Sequence, residues 1–177
     1  MSRMDTTRKI AVVRGAPGAV VQELFRSLAT GWQPSVRLAG VLAEDHGLPD
    51  RFCSAGYLRS LTDDERWPIF QDLGPGTDAC HLTGDGAALA ASAVRKDIAA
   101  GCDLVILSKF GKLEAAGGGL RDAFCAAIET GVPVLTTVGR PQADAWRALA
   151  GGLCVTLPAE ADRIEEWWQS VRPGSGR

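Results

Sequence analysis

The feature that most constrains this chain is a rhythm: short apolar runs that stop at Gly or Pro, each followed by apolar residues at three- and four-residue steps. Lys9 to Arg14 is such a run and stops at Gly15-Ala16-Pro17-Gly18, which predicts a buried strand ending in a tight loop. Val20, Val21, Leu24, Phe25 and Leu28 then recur at helical spacing as far as Gly31, read as the helix stop. Val36 to Leu42 is a second strand. From Gly84 the alternation is regular, with a helix over about 86–100, a strand over 103–107, a Gly-rich loop and a helix over about 119–130. It continues as a strand over 132–138, a helix over 142–149, a strand over 153–157 and a closing helix over 160–171. Strands that alternate with helices imply right-handed crossovers and a parallel sheet covered on both faces. The expected class is therefore α/β, an open, mainly parallel, doubly wound sheet.

The stretch near 44–83 breaks the rhythm. It mixes Gly, Pro and Asp with pieces such as Tyr57-Leu58 and Pro68-Ile69-Phe70, and predicts a hairpin-like insertion with long loops. No internal repeat or domain-sized linker interrupts the rest, so residues 1–172 read as one domain and 173–177 as a flexible tail. A chain of 177 residues buries about two thirds of its unfolded surface and needs neither metal nor disulfide to build a core. Its five cysteines contain no Cys-x-x-Cys pair and read mostly as reduced, buried thiols. There is no signal-peptide core and no apolar run long enough to span a membrane, which makes the cytoplasm the expected compartment. With 19 Lys plus Arg against 21 Asp plus Glu, a general nucleic-acid binder is not expected.

In an open parallel sheet, ligands bind outside the carboxyl ends of the strands, where loops and helix N-termini converge. Three loops lie there: Arg14 to Ala19, Ser108 to Glu114 with glycines 117–119, and Gly139-Arg140-Pro141. They carry Arg14, Lys109, Lys112 and Arg140 against the single acid Glu114, a local excess that suits an anionic ligand. Gly15 and Gly18 would permit close backbone approach of an oxyanion. A full phosphate loop requires Lys and then Ser or Thr after its last glycine, whereas this chain has Gly18-Ala19-Val20. Triphosphate hydrolysis would then need Lys109 or Lys112 as a substitute, with Glu114 orienting water or magnesium. The dinucleotide fingerprint also fails on glycine spacing, and Glu44 alone stands near a ribose-binding position.

Cys53, Cys80 and His81 form an incomplete set for a thiophilic metal, and the expectation is no metal site. Adjacent Cys80 and His81 point to opposite faces of an extended segment, which disfavours a cysteine hydrolase. His46 reads as an exposed loop residue. Gln71 and Asp72, in a polar Gly-rich loop, could cover the basic edge as a lid or simply cap a turn. Trp146 reads as core, whereas adjacent Trp167 and Trp168 predict one partly exposed aromatic or a partner surface, such as a homodimer contact.

Several of these segments together resemble one family: Ala16-Pro17-Gly18, Gln71 to Gly76 running on to Cys80-His81-Leu82, Asp103 to Glu114, Gly119-Leu120-Arg121-Asp122, and Gly131 to Leu135. The chain resembles, over most of its length, an uncharacterised bacterial group of nucleoside-triphosphatase-like proteins often associated with molybdenum ABC transporters. The resemblance implies a P-loop-NTPase-like fold with a degenerate phosphate loop and a link to nucleotide or molybdenum. Where such proteins carry an acidic pair for magnesium, Ser108 and Lys109 stand here, leaving Glu114 as the nearby carboxylate.

The expected function is thus a cytoplasmic protein binding a nucleotide phosphate or a tetrahedral oxyanion such as molybdate. Lys109, Lys112, Arg14 and Arg140 supply charge, Gly15 and Gly18 close approach, and Gln71 with Asp72 cover. Two alternatives stand beside it. One is an active triphosphatase using magnesium, with Glu114 and Lys109 as catalytic groups; the other is an accessory module docking on a transporter-associated or other partner through the closing helix.

Overall fold

The computed structural model describes residues 8–45, 47, 55–69 and 84–174. Its elements follow one another as β1 (Ile10–Arg14), α1 (Gly18–Trp32), β2 (Leu38–Asp45), β3 (Ala55–Ser60), β4 (Arg66–Pro68) and α2 (Gly84–Ala100). After these come β5 (Leu104–Leu107), α3 (Lys112–Ala115), α4 (Arg121–Thr130), β6 (Val134–Thr136), α5 (Ala143–Ala150), β7 (Cys154–Pro158) and α6 (Ala161–Val171). All seven strands join one sheet in the order β4-β3-β2-β5-β6-β1-β7. The five strands from β2 to β7 in that order are parallel, and β3 and β4 add an antiparallel meander beyond β2. The expected open, mainly parallel α/β sheet is therefore what the chain builds, with the hairpin falling inside the 44–83 segment.

The central runs 10–13 and 104–107 are apolar and buried at every position because both faces are covered, and the period of two splits the strands between two cores. Ile10, Val12, Val41, Val105 and Val134 face α2, α4 and α5, through Ala90, Val94, Phe124 and Trp146. Ala11, Val13, Leu42, Ile106 and Leu135 face α1 and α6, through Phe25, Trp32, Ile164 and Trp168. After β1 the chain crosses to β2 over the α1 face, then returns over the other face through β5 and β6 to β7 beyond β1. The direction of winding thus reverses between neighbours β1 and β6, and a crevice opens at their carboxyl ends.

Several boundaries differ from the sequence reading for identifiable reasons. Gly31 does not stop α1, which runs on to Trp32; that indole is buried and its Nε1 donates to Glu165 Oε2 at 2.6 Å. The strand expected over 132–138 is only Val134–Thr136, because Thr137 turns its hydroxyl to donate to the Val13 carbonyl at 2.8 Å. The expected exposed tryptophan on α6 is overturned: Trp167 and Trp168 are both buried. Successive helical residues are about 100° apart, and the buried arc of α6 is wide enough for both. Trp167 donates its Nε1 to the Arg8 carbonyl at 3.2 Å, while Trp168 lies against Trp32 with ring centroids 5.9 Å apart. The described cysteines, Cys102, Cys125 and Cys154, are free but half-buried rather than buried. Cys53, Cys80, His46 and His81 lie outside the described residues.

Glu44, at the end of β2, fastens the meander. It accepts from the Arg59 guanidinium on β3 and pairs with Arg66 on β4 at 3.3 Å, while Arg66 also lies 4.2 Å over the Tyr57 ring. The hydrogen bond from Arg59 holds the Glu44 carboxyl below its usual range despite some burial. Asp103 is held low in the same way, first by the Arg37 backbone N–H. A carboxyl with a lowered folded-state pKa contributes stability that is complete above its unfolded pKa and lost as pH falls through the folded one. The urea midpoint is therefore expected to drop as the pH is taken below the ordinary carboxylate value of 4.5. Glu44→Gln should flatten that fall; an identical slope in the variant would remove Glu44 from the account.

Candidate functional site: a crevice at the sheet switch point

The first wall is the loop between β1 and α1. Gly15 takes φ +94°, a conformation that suits glycine, and lets the backbone turn sharply out of the sheet. The loop ends at Pro17, whose ring cannot donate a capping bond, and no side chain caps α1. The Val21 N–H bonds back to the Pro17 carbonyl at 3.1 Å, so the N–H groups of Gly18, Ala19 and Val20 have no acceptor among the described residues. There is no acidic residue in the first turn of this 15-residue helix. Its positive end is open to an anion.

The second wall follows β5 and β6. Phe110 N–H donates to the Thr137 carbonyl at 2.8 Å and Gly139 N–H to the Phe110 carbonyl at 3.1 Å, which prolongs the parallel pairing past both strands. Phe110 is fully buried with Phe124 and Trp146, at centroid distances of 5.2–5.5 Å, and so fixes its neighbours. Lys109 points the other way and is exposed. Its stem crosses between Gly111 and Gly139: a methyl group on Gly139 would stand 3.4 Å from Lys109 Cε, and one on Gly111 would stand 3.8 Å from it. Neither Lys109 nor Lys112 has a partner among the described residues.

Glu114 takes a place that its sequence context did not suggest. It is buried, and its two oxygens accept from the Gly111 N–H and the Leu120 N–H, both at 2.9 Å. The carboxylate closes the loop from 111 to 120 onto itself, and Gly119 at φ +57° leaves the room it occupies. Arg121 adds a bond to the Glu114 carbonyl at 3.4 Å.

Between these walls lies a cavity of about 790 Å³. Its lining includes Gly18, Ala19, Gln22, Ser108, Lys109 and Thr137, and also Leu58, Ile69, Ala87, Leu113 and Leu120, which belong to or pack against the core on the α2 and α4 face. Of the residues expected from sequence, Gly18, Lys109 and Glu114 line it. Arg14, Gly15, Lys112 and Arg140 do not, although they stand on the same sheet edge, and Gln71 and Asp72 lie outside the described residues. Glu23, Glu44 and Asp45 also line the cavity, so its lining has no cationic surplus. Each of these acids has a partner: Glu23 pairs with Arg26 at 2.7 Å, Glu44 with Arg59 and Arg66, and Asp45 accepts from the Gly47 N–H at 2.6 Å. Lys109 is the lining cation left without one among the described residues.

Gln22 was missed by sequence reasoning. It reaches from α1 across the ends of β2 and β5, donating to the Ser108 carbonyl at 2.8 Å and accepting from the Ala43 N–H at 3.0 Å. The two strands separate after the Val41–Leu107 pair, and Gln22 bridges the gap. No group of three or more His, Cys, Asp or Glu is placed to hold a metal ion among the described residues. No helix among them is long and apolar enough to cross a membrane.

The family described as "Protein of unknown function (DUF2478)" matches residues 10–167. The chain is also similar to the protein named Molybdenum import ATP-binding protein ModC 2 of Bradyrhizobium diazoefficiens, with 46% identity over 103 residues. Those residues are 58% of this chain but 12% of that protein's length. No solved structure matches the chain.

Proposed function

The chain belongs to the DUF2478 family, and we propose that it is a P-loop-like protein that binds a nucleotide through its phosphate in the crevice between β1 and β6. The observation that carries this reading is convergence. The uncapped N-terminus of α1 and Lys109, which has no partner among the described residues, line one cavity together with apolar side chains. A ligand suited to such a cavity is anionic at one end and flat and apolar at the other. About 790 Å³ lies within the roughly 300–1,000 Å³ usual for small-molecule sites and is much larger than a bare tetrahedral oxyanion needs. The name of the ModC 2 relative, an ATP-binding protein of molybdenum import, agrees with a nucleotide ligand and with a partner in a transport system. Molybdate is the smaller ligand that the same donors would accept. The reading places the protein in the cytoplasm, where nucleotides are held, with magnesium entering only as the companion of a nucleotide.

In this reading Lys109 is the binding cation and Glu114 holds the loop that carries it. A charge-assisted hydrogen bond in such a cavity contributes about 1.5–3 kcal/mol, or roughly 10- to 100-fold in affinity. Lys109→Ala is expected to weaken nucleotide binding by about that factor in calorimetric titration. Lys112→Ala and Arg140→Ala, outside the cavity lining and screened by solvent, are expected to change it by no more than about threefold. Equal losses in all three variants would instead favour a diffuse basic edge over a defined site.

A further inference from the structure

Ser108 is the residue in the crevice whose chemistry is still unaccounted for. It is 5% exposed and lines the cavity, and its carbonyl is taken by Gln22. Its hydroxyl has no hydrogen-bond partner among the described residues. The Oγ is not sealed inside protein either: among the described residues, the buried side-chain nitrogen or oxygen left both enclosed and unpaired is Trp146 Nε1. A nearly buried hydroxyl with no protein partner is satisfied by water or by a ligand, and Ser108 lines this cavity. It adjoins Lys109, and the same cavity is lined by Gly18 and Ala19 at the open end of α1.

Charge sets the size of such a ligand. Lys109 supplies one positive charge and the end of a helix about half of one, roughly +1.5 in total. A phosphate monoester carries about −1.5 to −2 near neutral pH and offers three acceptor oxygens. A triphosphate would bring further negative charge against Glu23 and Asp45 in the lining, and Ala19 stands where a phosphate loop places its lysine. On the strength of the nucleotide reading above, we infer that the crevice is a nucleoside monophosphate site. Ser108 Oγ, Lys109 Nζ and the first N–H groups of α1 hold the phosphate, and Leu58, Ile69 and Ala87 lie on the side of the nucleoside.

The test is calorimetric titration of the full chain with AMP, GMP, CMP and UMP, with the matching di- and triphosphates with and without magnesium, with the nucleosides, and with inorganic phosphate. At least one monophosphate binds ten or more times tighter than its own triphosphate, magnesium does not reverse the order, and inorganic phosphate alone binds more weakly. Ser108→Ala lowers monophosphate affinity about tenfold, leaves any nucleoside affinity unchanged and leaves the thermal midpoint in place. Tighter binding of a magnesium triphosphate, or inorganic phosphate binding as well as the monophosphate, overturns the inference. The first of these leaves the nucleotide reading standing. An unchanged monophosphate affinity in Ser108→Ala also overturns it. Failure of every nucleotide to bind rejects the nucleotide reading and this inference with it.

Discussion

Gly40→Ala is expected to destabilise the fold by more than about 4 kcal/mol. Gly40 lies inside β2, opposite Ile106 of β5, with φ +123°. An added Cβ would overlap the Ile106 carbonyl carbon and oxygen, which belong to the backbone and cannot swing aside. Two penalties therefore add. The left-handed backbone conformation costs an alanine about 1–3 kcal/mol, and relieving the overlap means parting two central parallel strands and their ladder. A loss above about 4 kcal/mol is a large share of the roughly 5–15 kcal/mol that holds a domain together. The control is Gly31→Ala, on α1, where no atom lies within 4 Å of the new methyl group and φ is not positive. It should stabilise by up to about 1 kcal/mol. Urea unfolding of both variants checks the contrast, and a Gly40→Ala protein with a midpoint close to that of the parent would show that β2 and β5 are less tightly joined than described.

Glu114→Ala is expected to cost about 3–5 kcal/mol, because it leaves two buried N–H groups, those of Gly111 and Leu120, without acceptors at about 1–3 kcal/mol each. Glu114→Gln keeps one acceptor but turns an NH₂ toward the other N–H, and should cost about half as much. Hydrogen exchange at Gly111 and Leu120 should accelerate in both variants. A carboxylate acting only on water or magnesium would behave differently: Gln would preserve stability and abolish turnover. Unchanged unfolding of Glu114→Gln would show that the two backbone hydrogen bonds to its carboxylate do not hold the loop. Ligand affinity should fall in the Ala variant as well, since the loop it fastens begins two residues after Lys109 and ends at Leu120, both in the cavity lining.

Most of the sheet was legible because its strands are apolar on both faces and its helices keep a clean three- and four-residue period. The position of the crevice was legible for a different reason: winding order decides which loops converge, and winding order follows from alternating elements. What the sequence did not disclose is which way each loop side chain turns. Arg14, Lys112 and Arg140 share the edge with Lys109, but of the four only Lys109 lines the cavity, its stem passing beside Gly111 and Gly139 from separate loops. Gln22 follows Val21 in an amphipathic helix and reads as an ordinary polar position; its two partners lie 21 and 86 residues away. Glu114 is an acid three residues after a glycine, and nothing local shows that both its oxygens close on backbone N–H groups. The tryptophan pair was misjudged because helical spacing fixes the angle between Trp167 and Trp168 but not the breadth of the groove that receives them.

The central claim, nucleotide binding in the crevice, is tested most directly by thermal unfolding of the unmodified chain with nucleotides, molybdate, tungstate, sulfate and phosphate. A ligand at 100 times its dissociation constant stabilises by about 2.7 kcal/mol, a rise of roughly 5–10 °C for a domain of this size. The account predicts such a rise with at least one nucleotide and its reduction to about half or less in Lys109→Ala at the same ligand concentration. A midpoint that moves with molybdate and tungstate but with no nucleotide, or with nothing at all, would contradict it.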